Sequence, residues 1–526
     1  MSLWRLGRQD KDWGMTLRGC LLAGASALVV LGLGLAGPDR TLPFWGGSAW
    51  AQAAAGASGG SSAPTGPKAV SPAKQQGVPV VGTPHTLSQA LAATYAYQPA
   101  LQAARAQLRS VDENVPTALS GWRPTVILNG GVGYGDGVTR TLSFISNEYA
   151  KTPLTRDLAQ ASATITQPVY TGGKVAANVN RAKNQDMAQR ASLMVTEEQS
   201  FTDTVNAYVG VIQNTQLLAL NVNNEQVLKK QLDATNDRFR VGEITRTDVA
   251  QAEAALASAV SQREISQGNL QTARATYLRV IGFEPPSDLL EPQPLKLPVK
   301  SEREAGDLAS ANNPVVIQAL FTDAAAKDAI DVAFSQLLPT VNLQGQMFQQ
   351  VNPASAASSS TGYLVTANLS VPLYQGGAEY SAVRQARQNQ EQTHKLIDDS
   401  RRTAIQNAVQ AWDTLVAARA SADATRAAIR ANEVALEGVE REAIVGSRTT
   451  LDVLNAQQAL LNSQTQLVQA LAQLITASYG VASAIGRLTA RDLALPVPLY
   501  DETAYYIAVK NKWFGLGDYA TDQPGR

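Results

Sequence analysis

Gln167-Pro168-Val169-Tyr170-Thr171-Gly172-Gly173 recurs 204 positions later as Val371-Pro372-Leu373-Tyr374-Gln375-Gly376-Gly377. The same spacing carries on through Gly242/Gly446, Asp248/Asp452 and Gly282/Gly486. Upstream, Gln98-Pro99-Ala100-Leu101 and Arg123-Pro124-Thr125-Val126 return as Asn313-Pro314-Val315-Val316 and Leu338-Pro339-Thr340-Val341, now 215 apart. The halves therefore differ mainly by 11 residues between Pro124 and Pro168. A fortuitous helical likeness does not hold register over such a length, so the chain is one unit written twice. The first repeat spans 86–290, the second 291–492, and a tail occupies 493–526.

Around the quoted prolines the pattern has period two. Val126, Leu128, Val132 and Tyr134 alternate with Thr125, Asn129 and Gly131, and Ala159, Ala161, Ala163 and Ile165 alternate with Gln160, Ser162, Thr164 and Thr166. In the second repeat Val341, Leu343 and Met347 oppose Asn342, Gln344 and Gln346, while Val365, Ala367, Leu369 and Val371 oppose Thr366, Asn368 and Ser370. This predicts strands at about 123–136, 157–168, 339–350 and 362–373, with Pro124, Pro168, Pro339 and Pro372 at strand–helix junctions and polar loops at roughly 137–157 and 350–362. About ten residues is what a tilted strand needs to cross a bilayer. Short alternating stretches also suit a two-hairpin sheet on a soluble core.

The remainder reads as helix. No proline interrupts Lys174 to Phe239 or Ala378 to Ala443, and each would extend about 100 Å at 1.5 Å per residue. In the last helix Val453, Leu460, Leu467, Leu474 and Val481 form one seven-residue column, and Leu454, Leu461, Val468 and Ile475 a second. A two-stranded coil needs one seam. Two seams fit a helix wedged between neighbours in the wall of a tube, or the core helix of a solid bundle. Few aromatics and abundant Ala, Gln and Asn favour the tube, whose inner wall is wet.

The amino terminus reads as an export signal. Arg5, Arg8, Lys11 and Arg18 precede an apolar run from Cys20 to Ala36, followed by Ala49-Trp50-Ala51; cleavage there removes residues 1–51. The alternative is an uncleaved inner-membrane anchor, since the run sits at the lower length limit of a span. Residues 52–85, rich in Ala, Gly, Ser and Pro, read as a disordered linker with His85 a solvated residue at its end. No later segment is long and apolar enough to suggest a membrane-spanning helix.

Composition excludes more than it assigns. Lys+Arg and Asp+Glu are 44 each in 526 residues, and zero net charge argues against nucleic-acid binding. One cysteine and two histidines, His85 and His394, leave little for a metal centre or catalytic base. Gly131-x-Gly133-x-Gly135 lies on a strand, and Gly172-Gly173-Lys174 lacks the upstream glycine of a phosphate loop. We expect no enzyme activity, cofactor or metal.

Strand number constrains assembly. Four strands cannot close a barrel, and open edges cannot face lipid with their N–H and C=O groups unsatisfied. Chains must pool their strands: two give eight, which side chains fill, and three give twelve, which leave a lumen.

Two helix-to-helix turns read Val241-Gly242-Glu243-Ile244-Thr245-Arg246-Thr247-Asp248-Val249 and Val445-Gly446-Ser447-Arg448-Thr449-Thr450-Leu451-Asp452-Val453-Leu454. Glycine ends one helix, Thr or Ser caps the next, and the carboxylate suits the positive end of its dipole. Capping alone explains most of the motif. Together with the Pro-x-Tyr-x-Gly-Gly pair and the duplicated plan, however, these turns resemble the TolC family of outer-membrane efflux channels, from about Thr86 to Asp492.

That resemblance implies a mainly α fold with a membrane β-barrel: a duplicated helix–strand–strand–helix unit, four strands per chain in a trimeric twelve-stranded barrel, and a long coiled-coil tunnel across the periplasm. It implies a passive exit duct for tripartite efflux or type I secretion, a homotrimer opened at its tip by a periplasmic adaptor and an inner-membrane ABC or proton-driven pump. Gly242, Glu243, Thr245, Gly446, Ser447 and Thr449 would form the tips that meet the adaptor. Asp248 and Arg448 match the acceptor and a donor of the family's gate latch, whereas a family tyrosine corresponds to Ala443. Asp452 matches one acidic ring of the constriction, and Asn455 stands at the other. Three Asp452 carboxylates around a pore would favour cations and raise one another's pKa. The alternative function is a periplasmic coiled-coil spacer or adaptor without a pore; an adaptor would carry one hairpin, and a spacer needs no faced strand pairs.

Overall fold

The computed structural model describes residues 83–516 except 143, 144, 146, 154 and 354–357. The expected export signal, all of the linker but 83–85, and the tail beyond 516 lie outside the described residues. Helices α1 (Leu87–Tyr97), α2 (Pro99–Asp112) and α3 (Asn114–Leu119) and a 3-10 turn (Ser120–Trp122) lead into β1 (Thr125–Gly135). A short hairpin, β2 (Val138–Leu142) and β3 (Tyr149–Pro153), precedes β4 (Arg156–Tyr170), α4 (Lys174–Arg240) and α5 (Arg246–Ile281). The second repeat runs α6 (Glu302–Asn312), α7 (Pro314–Phe334), a 3-10 turn (Ser335–Leu337), β5 (Thr340–Val351), β6 (Ser359–Ser370), α8 (Ala378–Ile444) and α9 (Thr450–Ala484). A last helix, α10 (Ala504–Val509), lies in the tail.

The repeats share their punctuation. Thr86 and Ser301, 215 apart, both cap a helix through the side-chain oxygen, accepting from the backbone three residues on. Gly173 and Gly377 take φ of 81° and 84° immediately before α4 and α8, each 67 residues long. One difference has a local cause: α7 is continuous where α2 and α3 are broken. Pro116 stands in the first repeat and Asp331 in the second, and a proline ring clashes with the carbonyl four residues back.

The sheet runs β1–β4–β5–β6, antiparallel throughout. Register decides its chemistry. Val126 faces Ile165, Leu128 faces Ala163 and Val132 faces Ala159; Ile165 then meets Gly345 and Ala163 meets Met347; Met347 meets Tyr363 and Val341 meets Leu369. All four strands thus place their apolar residues on one face and Thr, Ser, Asn and Gln mostly on the other. Val126, Leu128, Val132, Tyr134, Met347, Tyr363, Val365 and Leu369 are exposed, so this face covers no soluble core. Pro168 is tolerated inside β4 because the ladder shifts register between it and Tyr170. Pro124 and Pro339 directly precede β1 and β5, and Pro372 follows β6.

The stretch expected as a polar loop at 137–157 contains β2 paired with β3. Val138-Thr139-Arg140-Thr141-Leu142 and Tyr149-Ala150-Lys151-Thr152-Pro153 are rich in β-branched and aromatic residues, which fit a pleated ribbon better than a loop. The added length of the first repeat is therefore a hairpin extension.

Below the sheet, α4 packs against α5, α7 and α9, and α8 against α9, α7 and α6. The largest core gathers Leu91, Leu101, Leu108, Phe201, Tyr208, Tyr277, Leu488 and Leu495 from both repeats and the tail. His85 is not a free linker residue: its carbonyl accepts from the Leu290 N–H at 3.0 Å and lies 2.8 Å from the Tyr208 hydroxyl. In α9 the leucines of both columns are half-buried, Val453 and Val481 at the ends of the first column are buried, and most of the other buried positions are small: Ser463, Ala470, Ala472, Ala477, Ser478 and Ala482. Small residues at buried positions let α9 approach α8 and α4 closely. By length and composition α9 could also cross a membrane, contrary to expectation, because a helix with two apolar seams is apolar around much of its girth. In the fold α9 packs against α8 and α4.

Candidate functional site: hairpin tips and membrane sheet

The two tips are near copies. Gly242 and Gly446 both sit at φ 80°, a torsion that costs a side-chain-bearing residue about 1 kcal/mol or more. The Gly242 N–H donates to the Phe239 carbonyl and that of Gly446 to the Ala443 carbonyl. The next helix opens with a capping box: Asp248 accepts from the Thr245 N–H at 2.9 Å and hydroxyl at 2.6 Å, and Asp452 from the Thr449 N–H at 3.0 Å and hydroxyl at 2.8 Å. These hydrogen bonds hold both carboxyls below the usual aspartate range.

Within one chain Asp248 and Arg448 do not meet. Arg448 Nε donates to Glu442 at 2.8 Å, across its own turn, and this partner holds its pKa up. Asp452 feels Arg448 only as a nearby charge. The first tip carries the reversed tie, Arg238 Nε to Glu243 at 3.1 Å. Glu442 and Arg238 escaped the sequence reading; the signal for both is an opposite charge five or six residues away across a glycine turn. Glu243, Thr245, Ser447 and Thr449 are exposed at the tips, with Asn455 exposed one turn into α9. Ser447 also returns its hydroxyl to the Glu442 carbonyl at 2.9 Å. Ala443, where the resemblance expects a tyrosine, is buried under the turn.

A polar link at mid-length stiffens each long hairpin: Asn221 Nδ2 to Ser266 Oγ at 2.7 Å between α4 and α5, and Asn432 Nδ2 to Ser463 Oγ at 2.6 Å between α8 and α9. At the far end the sheet keeps two unpaired edges among the described residues, on β1 and β6.

A duplicated chain with a one-faced, open-edged membrane sheet above two helical hairpins whose long arms extend about 100 Å is a subunit of a β-barrel channel that continues into a helical conduit. Residues 88–282 and 305–487 match the outer membrane efflux protein family. The chain is 35% identical over 437 residues to outer membrane efflux protein BepC of Brucella suis biovar 1 (strain 1330), covering 82% of this chain and 92% of that protein. It is 26% identical over 425 residues to outer membrane protein TolC of Salmonella enteritidis, covering 78% and 84%. Among solved structures, the Campylobacter jejuni CmeC outer membrane channel superposes with a TM-score of 0.68 at 14% identity, over 81% of this chain and 89% of that one. The chain belongs to the outer membrane efflux protein family.

Proposed function

We propose that three copies of this chain form a passive exit duct in the outer membrane, receiving cargo at the hairpin tips from an adaptor and an inner-membrane pump of an efflux or type I secretion system. The observation that carries this reading is the sheet: four strands with one shared apolar face and two unsatisfied edges, in a chain of the outer membrane efflux protein family. Lipid wets the apolar face, and only a ring of chains satisfies the edges. Three chains give twelve strands and a lumen.

The internal repeat supplies the joint. Shifting the β4–β5 pairing by the repeat spacings places Leu369, Ala367 and Val365 of one β6 opposite Gly130, Val132 and Tyr134 of the next β1. Every pair lies on the apolar face, as closure requires.

At the tips, Asp248 and Arg448 of adjacent coils form the latch, and Asp452 and Asn455 line the constriction. Both carboxylates stay ionised at neutral pH; in the ring, mutual repulsion of three Asp452 groups acts against the Thr449 hydrogen bonds. Transport here is opening and closing, with no bond made or broken in the cargo. The family match and the membrane sheet speak for this duct over a periplasmic spacer or adaptor. Purified protein should need detergent for solubility and should insert cation-preferring pores into planar bilayers; water-soluble protein without conductance would overturn the reading.

A further inference from the structure

The corner between β4 and α4 is covered from within the chain. A Cβ on Gly172 would lie 2.8 Å from Leu338 Cβ and 2.9 Å from the Ser335 carbonyl oxygen, so the 335–339 corner of the second repeat sits directly on it. The matching corner after β6 has Gly376 in the same left-handed region, φ 72° against 62°, with no atom of this chain within 4 Å of its Cβ position. Leu373 and Tyr374 are accordingly 87% and 77% exposed, where Val169 and Tyr170 are 57% and 46%. In a closed ring the cover for this corner is the 120–124 corner of the next subunit, because Ser120, Arg123 and Pro124 correspond to Ser335, Leu338 and Pro339.

Arg123 stands where the second repeat has Leu338, and it holds the tail. Its Nη1 donates to the Lys512 carbonyl at 2.6 Å, and its guanidinium lies 4.8 Å from the centroid of the Trp513 ring. The tail is fastened on the way there: the Tyr500 N–H donates to Tyr95 at 2.9 Å, Tyr505 bonds Glu113 at 2.8 Å, and Val509 is buried. Trp513 at the clasp and Phe514 and Leu516 beyond it are exposed, Phe514 to 90%. If Arg123 meets the neighbouring Gly376 as Leu338 meets Gly172, ordinary bond lengths put the Trp513 ring within roughly 13 Å of the Cβ position of that glycine. Two exposed apolar groups, the tail end of one copy and the 373–374 corner of the next, therefore come to the same joint.

We propose that the tail is an inter-subunit strap: Trp513, Phe514 and Leu516 of one copy pack on Leu373 and Tyr374 of the next, with Arg123 as the buckle. The inference rests on the ring proposed above. The second repeat needs only a leucine at this position because it has no tail to hold.

Photo-cross-linking of the full-length protein in outer membranes tests it, with p-benzoylphenylalanine in place of Phe514, which is exposed enough to accept it. The expected result is a two-chain adduct that maps to residues 371–380 and is lost in Arg123→Leu. Adducts confined to lipid or to the chain's own residues, or no adduct, would overturn the strap. Val132→Cys with Ala367→Cys separates the two readings. If that pair yields no covalent ring, the trimer reading fails; if it does and the photo-adduct maps elsewhere, only the strap fails.

Discussion

Asp248 and Asp452 each cap a helix, and the gate proposed above would use the same two carboxylates. Each completes a capping box, and the same hydrogen bonds that anchor α5 and α9 keep its carboxyl ionised. An ionised, positioned acceptor is what an inter-coil latch needs. Replacing Asp248 and Arg448 together by alanine should raise resting conductance in planar bilayers; unchanged conductance would place the latch elsewhere. Asp452→Ala should weaken block of the pore by multivalent cations, measured as a shift of the blocking concentration to higher values. The caps were legible from Thr-x-x-Asp after glycine. The Arg448–Glu442 tie was not, because it depends on how the turn folds the Arg448 side chain back on α8.

At the level of elements, acids are buried where other parts of the chain pack on α4. Glu198 on α4 accepts from the Leu488 backbone, and burial pushes its pKa up to about 8. Asp112 on α2 is pushed to about 8 by burial and by the neighbouring Asp186. A carboxyl whose folded pKa is raised contributes stability in full below its unfolded value, and that contribution declines as pH rises towards the folded value. Stability should therefore fall between about pH 4.5 and about pH 8, by at most about 1.4 kcal/mol per pH unit for each such group. Glu198→Gln keeps an acceptor for Leu488 and should flatten part of this slope; thermal melting against pH reads it. The corner glycines give a second contrast. Both tolerate φ near 60–70°, so alanine costs each about 1–2 kcal/mol in torsion. Gly172→Ala adds a clash inside the chain and should lower the melting temperature of the monomer fold, whereas Gly376→Ala should chiefly impair assembly, seen as a lower trimer fraction on size-exclusion chromatography in detergent.

For the whole molecule, internal symmetry defines the joint of the ring proposed above. The joint register follows from β4 and β5, so Val132→Cys with Ala367→Cys should give a covalent trimer on non-reducing gels. Val132→Cys with Thr366→Cys should not, since a shift of one residue turns the side chain to the opposite face. A ring with this register has a lipid-facing belt on every strand.

Much of this architecture was written along the chain. The duplication, the two uninterrupted helices, the capped turns and the alternation that makes a membrane face are local or periodic, and a linear pattern carries such information directly. Tertiary structure alone decided the rest. The β2–β3 extension was hidden because short β-prone stretches resemble loops until they pair. The buried acids required knowing what packs over α4. The grip of Arg123 on Lys512 joins residues 389 positions apart, and no period connects them. Contacts of that kind arise from which surfaces remain uncovered when helices and sheet are stacked, a property of the packed chain.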